Sequence, residues 1–263
     1  MASVGETVTI GEYTVTVNDF VFDENGIGMV SAVISHPEGH TKYNREWFEE
    51  SVAAGCYSFE QDDFEYVGDK KLGYSFLDFK VQIAEDQSTD TDYHVIYYVC
   101  PMTEEQNTDD IDYVFWAPND LALSLTQDDW LSGNANYSHD ELYDSVRIRI
   151  HINDRVAAKE FFCGDDEIFV SPLGAKLPLG RMELEGANEN ISRSRYAKTF
   201  VINFKDGTEY IVNDEGHASS GAGSLDDEHG ESRYAFNRLV DIDNIESVYI
   251  MTQDGVEHVY TAS

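Results

Sequence analysis

Apolar residues alternate with polar residues along many short segments of this sequence, and tight-turn dipeptides separate the segments. The first two pairs of segments flank Gly11-Glu12 and Asn25-Gly26. A period of two is the repeat of a β-strand with one buried face, and Asn-Gly is a favoured two-residue hairpin turn. The sequence therefore predicts antiparallel hairpins at both dipeptides.

The same pattern predicts further strands and very little helix. The additional predicted strands cover residues 74–83, 93–100, 113–116, 121–125, 146–152 and 167–170. One short helix is predicted over residues 43–54, where Gly55 follows the last apolar position. Ser138 and Glu141 have the spacing of a capping box, which predicts a single helical turn before the strand at 146. We expect a mostly β fold with one or two short helices.

The length of 263 residues favours two domains. Residues 153–166 interrupt the strand pattern and predict the join. We expect an N-terminal antiparallel β-sandwich domain over residues 1–154, with the short helix as an insert, and a C-terminal β-sandwich domain over residues 155–263. The second domain has predicted hairpins at Asp206-Gly207 and Asp254-Gly255, and its segment 213–232 is rich in Gly, Ser and acidic residues, which predicts a mobile loop.

The chain is strongly acidic, and its charge excludes several classes of partner. It has 17 Lys and Arg against 51 Asp and Glu, for a formal net charge of -34. Nucleic-acid binding depends on basic side chains that displace counterions, and anionic lipid repels an acidic surface. We therefore expect neither nucleic acid nor direct membrane contact. Cations, cationic peptides and neutral sugars remain open as partners.

Three cysteines, Cys56, Cys100 and Cys163, are too few for a disulfide framework or a zinc site. A single bridge would join Cys56 to Cys100, because both fall in the first half of the chain. No segment reaches the ~20 apolar residues of a membrane span. The start at Met1 has neither the charge nor the apolar run of a signal peptide. These features leave two expectations, a cytosolic protein or a chain without its export signal or anchor.

Catalytic and metal-binding patterns are weak, so we assign no catalytic or cofactor-binding residue and leave metal and ligand residues undefined. Ser138-His139-Asp140 is contiguous, and no Gly-x-Ser-x-Gly elbow is present. Pro37 and Gly39 break helical spacing between His36 and His40. The other histidines considered as isolated residues are His94, His151, His217, His229 and His258.

Calcium is the metal that the sequence favours most, because acidic oxygen ligands are abundant in its predicted loops. The candidate carboxylates are Asp90, Asp92, Asp109, Asp110, Asp112, Asp241 and Asp243. None of them has the spacing of an EF-hand. Asp243 has the alternative role of a cap before the turn at 244–247. We therefore expect no cofactor, with calcium as the one open alternative.

Aromatic and basic residues give two further hypotheses. Trp47, Trp116 and Trp130 could stack on sugar rings, although aromatic residues are also common on half-buried strands. Arg193, Arg195 and Lys198 form the one small basic cluster, near Tyr196, and the simplest hypothesis is that they offset neighbouring acidic residues.

The second half of the chain resembles a known group of proteins. The motifs that carry the resemblance are Ser171-Pro172-Leu173-Gly174, Phe204-Lys205-Asp206-Gly207-Thr208 and residues 241–250, with residues 7–10 and 18–28 in the first half. They look like the ectodomains of uncharacterised anti-sigma-factor-like membrane proteins of Gram-positive bacteria. In that group one or two immunoglobulin-like domains follow a single membrane span. The span and the sigma-binding segment of that group do not occur in this sequence.

This resemblance implies immunoglobulin-like domains and a location at the extracellular or cell surface of a bacterium, with the cytoplasm as the alternative. It further implies a non-catalytic ectodomain of a regulatory or sensory membrane protein that binds a protein or carbohydrate ligand. The second hypothesis is a secreted adhesion or carbohydrate-binding module. A third, a glycoside-acting enzyme, predicts two carboxylates about 5–10 Å apart in a cleft.

Overall fold

The computed structural model describes residues 2–38, 54–58, 65–67, 70–72, 75–101, 104–119, 121, 139–178, 197–214, 217–218, 222–226, 231–252 and 255–262. In this part of the chain the fold is mostly β, as the alternating pattern predicts. The strands among these residues form four five-stranded sheets and one two-stranded ribbon.

Sheets I and II form what we call the N-terminal sheet pair. Sheet I contains β1 (Ala2–Ser3), β5 (Ala54–Ser58), β8 (Ser75–Phe76), β11 (Asp110–Pro118) and β12 (Tyr143–His151), in the spatial order β1-β12-β11-β5-β8. Sheet II contains β2 (Thr7–Ile10), β3 (Tyr13–Phe22), β4 (Gly28–Ser35), β9 (Asp78–Ile83) and β10 (Asp92–Cys100), in the order β2-β3-β4-β10-β9. The ribbon consists of β6 (Glu65–Val67) and β7 (Lys70–Leu72), and the short helices are η1 (Glu104–Gln106) and α1 (His139–Leu142).

Sheets III and IV form the C-terminal sheet pair. Sheet III contains β13 (Lys159–Cys163), β14 (Asp166–Val170), β15 (Gly174–Pro178), β19 (Ala222–Asp226) and β20 (Glu231–Ala235), in the order β13-β14-β15-β20-β19. Sheet IV contains β16 (Ala197–Phe204), β17 (Glu209–Asp214), β18 (His217–Ala218), β21 (Ile245–Thr252) and β22 (Glu257–Tyr260), in the order β18-β17-β16-β21-β22. The 3-10 helix η2 (Ile242–Asn244) leads into β21. Neighbouring strands in sheets II, III and IV are antiparallel, and β1 pairs with β12 in parallel.

Each sheet pair encloses its own apolar core, because alternate side chains of facing strands point between the sheets. In the N-terminal pair, Tyr97 of β10 and Tyr113 of β11 meet edge to face with ring centroids 5.2 Å apart. In the C-terminal pair, Phe161 of β13 lies in the same buried cluster as Phe200 of β16 and Ile250 of β21. Side chains from both members of each pair therefore fill the two cores.

The structure confirms the hairpins predicted at Gly11-Glu12, Asn25-Gly26 and Asp206-Gly207, since each dipeptide lies between two paired strands. Asn25-Gly26 joins β3 to β4, and Gly26 has a φ of +78°. Asp206-Gly207 joins β16 to β17, and Gly207 has a φ of +82°. Asp206 Oδ1 accepts hydrogen bonds from the N–H and hydroxyl of Thr208, at 2.9 and 2.6 Å. Positive φ angles favour glycine at these positions.

Three local predictions differ from the structure. The described residues of segment 213–232 include β18, β19 and the start of β20, so loop conformation is wrong for them. Backbone pairing needs no large side chain, so this Gly- and Ser-rich segment can form a strand beside β20. The predicted join at 153–166 contains β13. The cap of η2 is Asp241, whose carboxylate accepts from the backbone N–H of Asp243, so the capping role assigned to Asp243 is wrong.

The suggested Cys56–Cys100 bridge is also wrong, since both cysteines are reduced and buried. Cys56 lies in the N-terminal core, whereas Cys100 lies in a different cluster, between the sheet pairs. The predicted helix at 43–54 falls outside the described residues apart from Ala54, which begins β5. Of the predicted strand at 121–125, only Leu121 is described. A single helical turn, α1, lies where the capping box predicts it. The domain boundary at 154/155 stays a prediction.

Candidate functional site

The two sheet pairs meet through a buried apolar cluster that we call the joint. Its members are Ile27, Tyr98, Cys100, Leu173 and Ala235, and none is more than 4% exposed. In β10 the side chains alternate between the N-terminal core and the joint, so both faces of this strand are buried. Burial on both faces explains why residues 95–100 form the longest apolar run in the sequence.

A buried carboxylate connects the two sides of the joint. Asp23, at the end of β3, is fully buried. Its Oδ1 accepts from the backbone N–H groups of Asn25 and Ile27, at 2.9 and 2.8 Å. Its Oδ2 accepts the hydroxyl hydrogen of Ser171, from the C-terminal sheet pair, at 2.6 Å. The Ser171 oxygen in turn accepts from the N–H of Leu173 at 3.0 Å, so one short chain of hydrogen bonds fixes both turns.

Burial sets the electrostatics of Asp23. Loss of solvent raises the pKa of this carboxyl to about 6, although hydrogen bonds from Ser171, Ile27 and Asn25 act in the opposite direction. A carboxyl with a raised pKa binds its proton more tightly in the folded protein than in the unfolded chain. Formation of the joint is therefore coupled to protonation of Asp23 between pH 3.8 and about 6.

Arg155, in the short connection between the sheet pairs, fastens that connection to the N-terminal pair. Its guanidinium donates to the carbonyl oxygens of Asp23 and Thr108, at 3.0 and 2.7 Å. It also donates to Asn107 Oδ1 at 2.8 Å and to Asp109 Oδ1 at 3.1 Å. The next residue, Val156, bridges to Asp23 through the backbone. Four directed hydrogen bonds leave the guanidinium little freedom to rotate.

A cluster of charged side chains also connects the two sheet pairs. Arg233 of β20 is completely buried and contacts Glu104 of η1, which belongs to the N-terminal half. Arg233 also pairs with Glu231 at 2.8 Å. Lys176 of β15 lies 2.7 Å from Glu231 and 3.4 Å from Glu104. Buried charges need such partners, because an unpaired charge loses its hydration without compensation.

Backbone approach at the joint leaves no space for a side chain at Gly174. A Cβ there would overlap the carbonyl oxygen of Tyr234 and would lie 2.8 Å from the Ile27 side chain. The Ser171-Pro172-Leu173-Gly174 motif is therefore placed where the sheet pairs touch.

A different candidate surface lies on the outer face of sheet IV, on the far side of the C-terminal core from sheet III. Four side chains from adjacent strands are paired directly there and form what we call the outer row, namely Ile211, Val201, Tyr249 and Val259. They point outward because the residues before and after them in β16, β17 and β21 are in the core. Ile211 is 41% and Val259 52% exposed, and the two central residues are half-buried.

Two further lines of side chains flank the outer row on the same face. On one side are Glu209, Asn203 and Ser247, and on the other are Thr199, Met251 and Glu257. Glu209 and Glu257 are exposed and stand at opposite ends of the row, on opposite sides of it. Limited solvent access, and then a hydrogen bond and charge interaction with Glu257, raise the pKa of Tyr249.

The structure places most of the predicted calcium carboxylates beside protein partners. Asp92 accepts from Ser35 and Thr91, and these hydrogen bonds lower its pKa. The remaining pairs are Asp112 with Arg149, Asp110 with His151, Asp109 with Arg155, and Asp243 with Lys159. Within the described residues, no group of three or more His, Cys, Asp or Glu side chains is arranged to hold a metal ion.

The other predicted residues are not brought together among the described residues. His36 lies 3.4 Å from Glu12, and His258 stacks on Tyr260. His94 lies in β10, and Trp116, in β11, is half-buried. Lys198 lies in β16, His217 in β18, and His139 and Asp140 in α1. Those that lie outside the described residues are His40, Trp47, Trp130, Ser138, Arg193, Arg195, Tyr196 and His229.

Sequence reasoning did not identify Asp23, Arg155 and Arg233 as residues that connect the two halves of the chain. A charged residue directly after the apolar run 20–22 was the one local signal for Asp23. The partners of Asp23 and Arg233 across the joint are 148 and 129 residues away in the chain, which no local pattern reveals.

Comparison with protein-family models, with curated proteins and with solved structures found no match to this chain. Among the helices that the structure describes, none has the length and apolarity to cross a membrane.

Proposed function

We propose that this chain is a non-catalytic module that binds a ligand or partner on its outer surfaces, in the extracytoplasmic part of a bacterial regulatory or sensory membrane protein. The observation that carries the proposal is the filled joint. Ligand sites of two-domain proteins occur preferentially in the cleft between the domains. Here that space is occupied by Ile27, Leu173 and Ala235, and by the hydrogen-bonded carboxylate of Asp23.

A filled joint favours a rigid body that presents surfaces rather than a hinged body that closes on a substrate. Apolar contacts, the Asp23–Ser171 hydrogen bond and the Arg233–Glu104 ion pair all resist rotation of one sheet pair against the other. In a sensory protein, a rigid module would transmit a displacement caused by partner binding to the segment to which the module is attached. The net charge of -34 favours a cationic or neutral partner over an anionic one.

The resemblance to anti-sigma-factor-like ectodomains supports the extracytoplasmic part of the proposal and the immunoglobulin-like character of the sheet pairs. Two of its motifs have structural roles in this chain. Ser171 and Gly174 lie at the joint, and Asp206-Gly207 forms a hairpin turn. A motif that fixes a joint would serve the same purpose in any protein built from two such sheet pairs.

Location and binding can be tested separately. Protease treatment of intact cells of the source bacterium should remove the chain, as detected with an antibody against it, while a cytosolic marker survives. A chain that is degraded only after lysis would contradict the extracytoplasmic proposal. Specific retention by a polysaccharide panel would favour the secreted carbohydrate-binding module, and turnover of glycoside substrates would contradict a non-catalytic module.

A further inference from the structure

The outer row is an apolar strip on a face where strand alternation normally places polar side chains. Its members Ile211, Val201, Tyr249 and Val259 come from four strands, and each is directly opposite the next. Cross-strand pairs of this kind stabilise a sheet modestly. Sheet stability alone does not require the two end residues to be apolar, because threonine has a similar strand preference and is compatible with water.

The length of the row matches a helix laid across the strands. Three interstrand spacings of about 4.8 Å give a strip of about 14 Å. At about 1.5 Å per residue, about ten residues of an α-helix cover that distance, which corresponds to an apolar stripe of nearly three turns. Half-buried Met251 widens the strip beside Tyr249, and methionine adapts to irregular apolar surfaces.

The charges around the row favour a basic helix. Glu209 stands beside Ile211 on one side of the strip, and Glu257 stands beside Val259 on the other. A helix on the row would therefore bring the polar residues on its two flanks close to one carboxylate each. Lysine or arginine at those positions would form ion pairs, whereas acidic residues would be repelled by the flanking glutamates and by the net charge of the chain.

We propose that the outer row is a docking site for a basic amphipathic helix of a partner protein, which packs its apolar stripe on the row and pairs its basic flanks with Glu209 and Glu257. This inference rests on the proposed function and names the partner class for one of its surfaces. A second copy of the chain is the competing occupant. Two surfaces that carry the same acidic residues and the same net charge of -34 oppose that contact.

The test uses the full chain and a synthetic helical peptide of about 14 leucine and lysine residues, with the leucines on one face. Two control peptides are a scramble of the same composition and an analogue with glutamate in place of lysine. Binding is measured by calorimetry at about 0.15 M salt, where long-range charge attraction is screened. We expect the amphipathic basic peptide to bind more tightly than the scramble, and the acidic analogue not to bind.

Matched variants distinguish peptide binding at the outer row from general attraction of a basic peptide to an acidic protein. We expect the double variant Ile211→Thr/Val259→Thr to weaken peptide binding by about tenfold or more, since it places hydroxyl groups under the apolar stripe. Val256→Thr repeats the Val259→Thr half of this change at a residue that is 48% exposed but lies off the row, and it should bind as the native chain does. Glu209→Lys/Glu257→Lys should weaken binding more than Glu160→Lys/Glu167→Lys, which changes the net charge equally on exposed residues of sheet III.

Several results would overturn the proposal. Equal affinity of the scramble and the amphipathic peptide would do so, as would equal effects of the row variants and their controls. Sedimentation that shows a dimer of the native chain, abolished by Ile211→Thr/Val259→Thr, would assign the row to self-association. If the peptide binds at the outer row but the chain proves cytosolic, only the proposed location is refuted. If the chain lies at the cell surface but the peptide does not bind at the row, only the docking site is refuted.

Discussion

Replacement of Asp23 by asparagine tests whether burial at the joint controls the stability of the whole molecule. The pKa of Asp23 is raised from 3.8 to about 6 in the folded protein. A rise of about 2 pKa units corresponds to about 3 kcal/mol of linkage free energy. The direction in which stability changes with pH follows from the tighter binding of this proton in the folded protein. The contribution of Asp23 to stability is fully present below pH 3.8, where the carboxyl is protonated in both states, and it is lost as pH rises through about 6.

Asp23→Asn removes this titration and keeps the size of the side chain. Free energies of unfolding are measured for both proteins by urea denaturation, followed by circular dichroism, between about pH 4.5 and 7.5. We expect the stability of the variant relative to the native protein to increase by about 2 kcal/mol over this interval, which covers about two thirds of the linkage. Any fixed cost from altered hydrogen bonds to Ser171 shifts the curve without changing its slope.

The difference between the two proteins cancels the titration of all other carboxyl groups. Asp154→Asn makes the same change at an exposed residue of the connection and is the control. A difference curve for Asp23→Asn that is flat, or that falls as pH rises, would refute the linkage. A variant that loses cooperative unfolding at every pH would show instead that the carboxylate oxygens are required for the joint to form.

Three further predictions concern the joint and the thiols. Gly174→Ala should destabilise the protein by about 1–3 kcal/mol in urea denaturation, because its Cβ would overlap the carbonyl oxygen of Tyr234. Arg155→Lys should cost about 1–3 kcal/mol in the same assay, since an ammonium group cannot reproduce four directed guanidinium hydrogen bonds. In the native protein a thiol reagent should modify half-buried Cys163 first, as followed by mass spectrometry, while burial protects Cys56 and raises the pKa of its thiol.

Each of these predictions has a contrary result. A Gly174→Ala variant as stable as the native protein would mean that the Tyr234 carbonyl and the Ile27 side chain move away from the added Cβ at no cost. Unchanged stability of Arg155→Lys would mean that the connection is not fastened by this side chain. Formation of a disulfide between Cys56 and Cys100 on mild oxidation of the folded protein, detected as the mass loss of two hydrogen atoms and assigned by peptide mapping, would contradict their placement in separate clusters.

Sequence reasoning was most successful where the physical cause is local. Asn25-Gly26 and Asp206-Gly207 specify turns through the φ angle of a single glycine, and the flanking alternation specifies which residues face inward. It failed where the outcome depended on a distant strand. Segment 213–232 lacks the apolar alternation of a strand, yet it contains β18 and β19, which pair with β17 and β20. The Cys56–Cys100 bridge was wrong because separation along the chain does not indicate which cluster a side chain enters.

The sequence by itself determined the mostly β character of the protein, the positions of its main hairpins and the acidic charge that limits its partners, because period, turn chemistry and charge are properties of neighbouring residues. Only the tertiary structure decided that the second face of β10 lies in the joint, that Asp23 is buried against Ser171, and that four outward side chains of sheet IV lie in one row. Strand register and packing bring together residues far apart in the chain, so the environment of each depends on the folded whole.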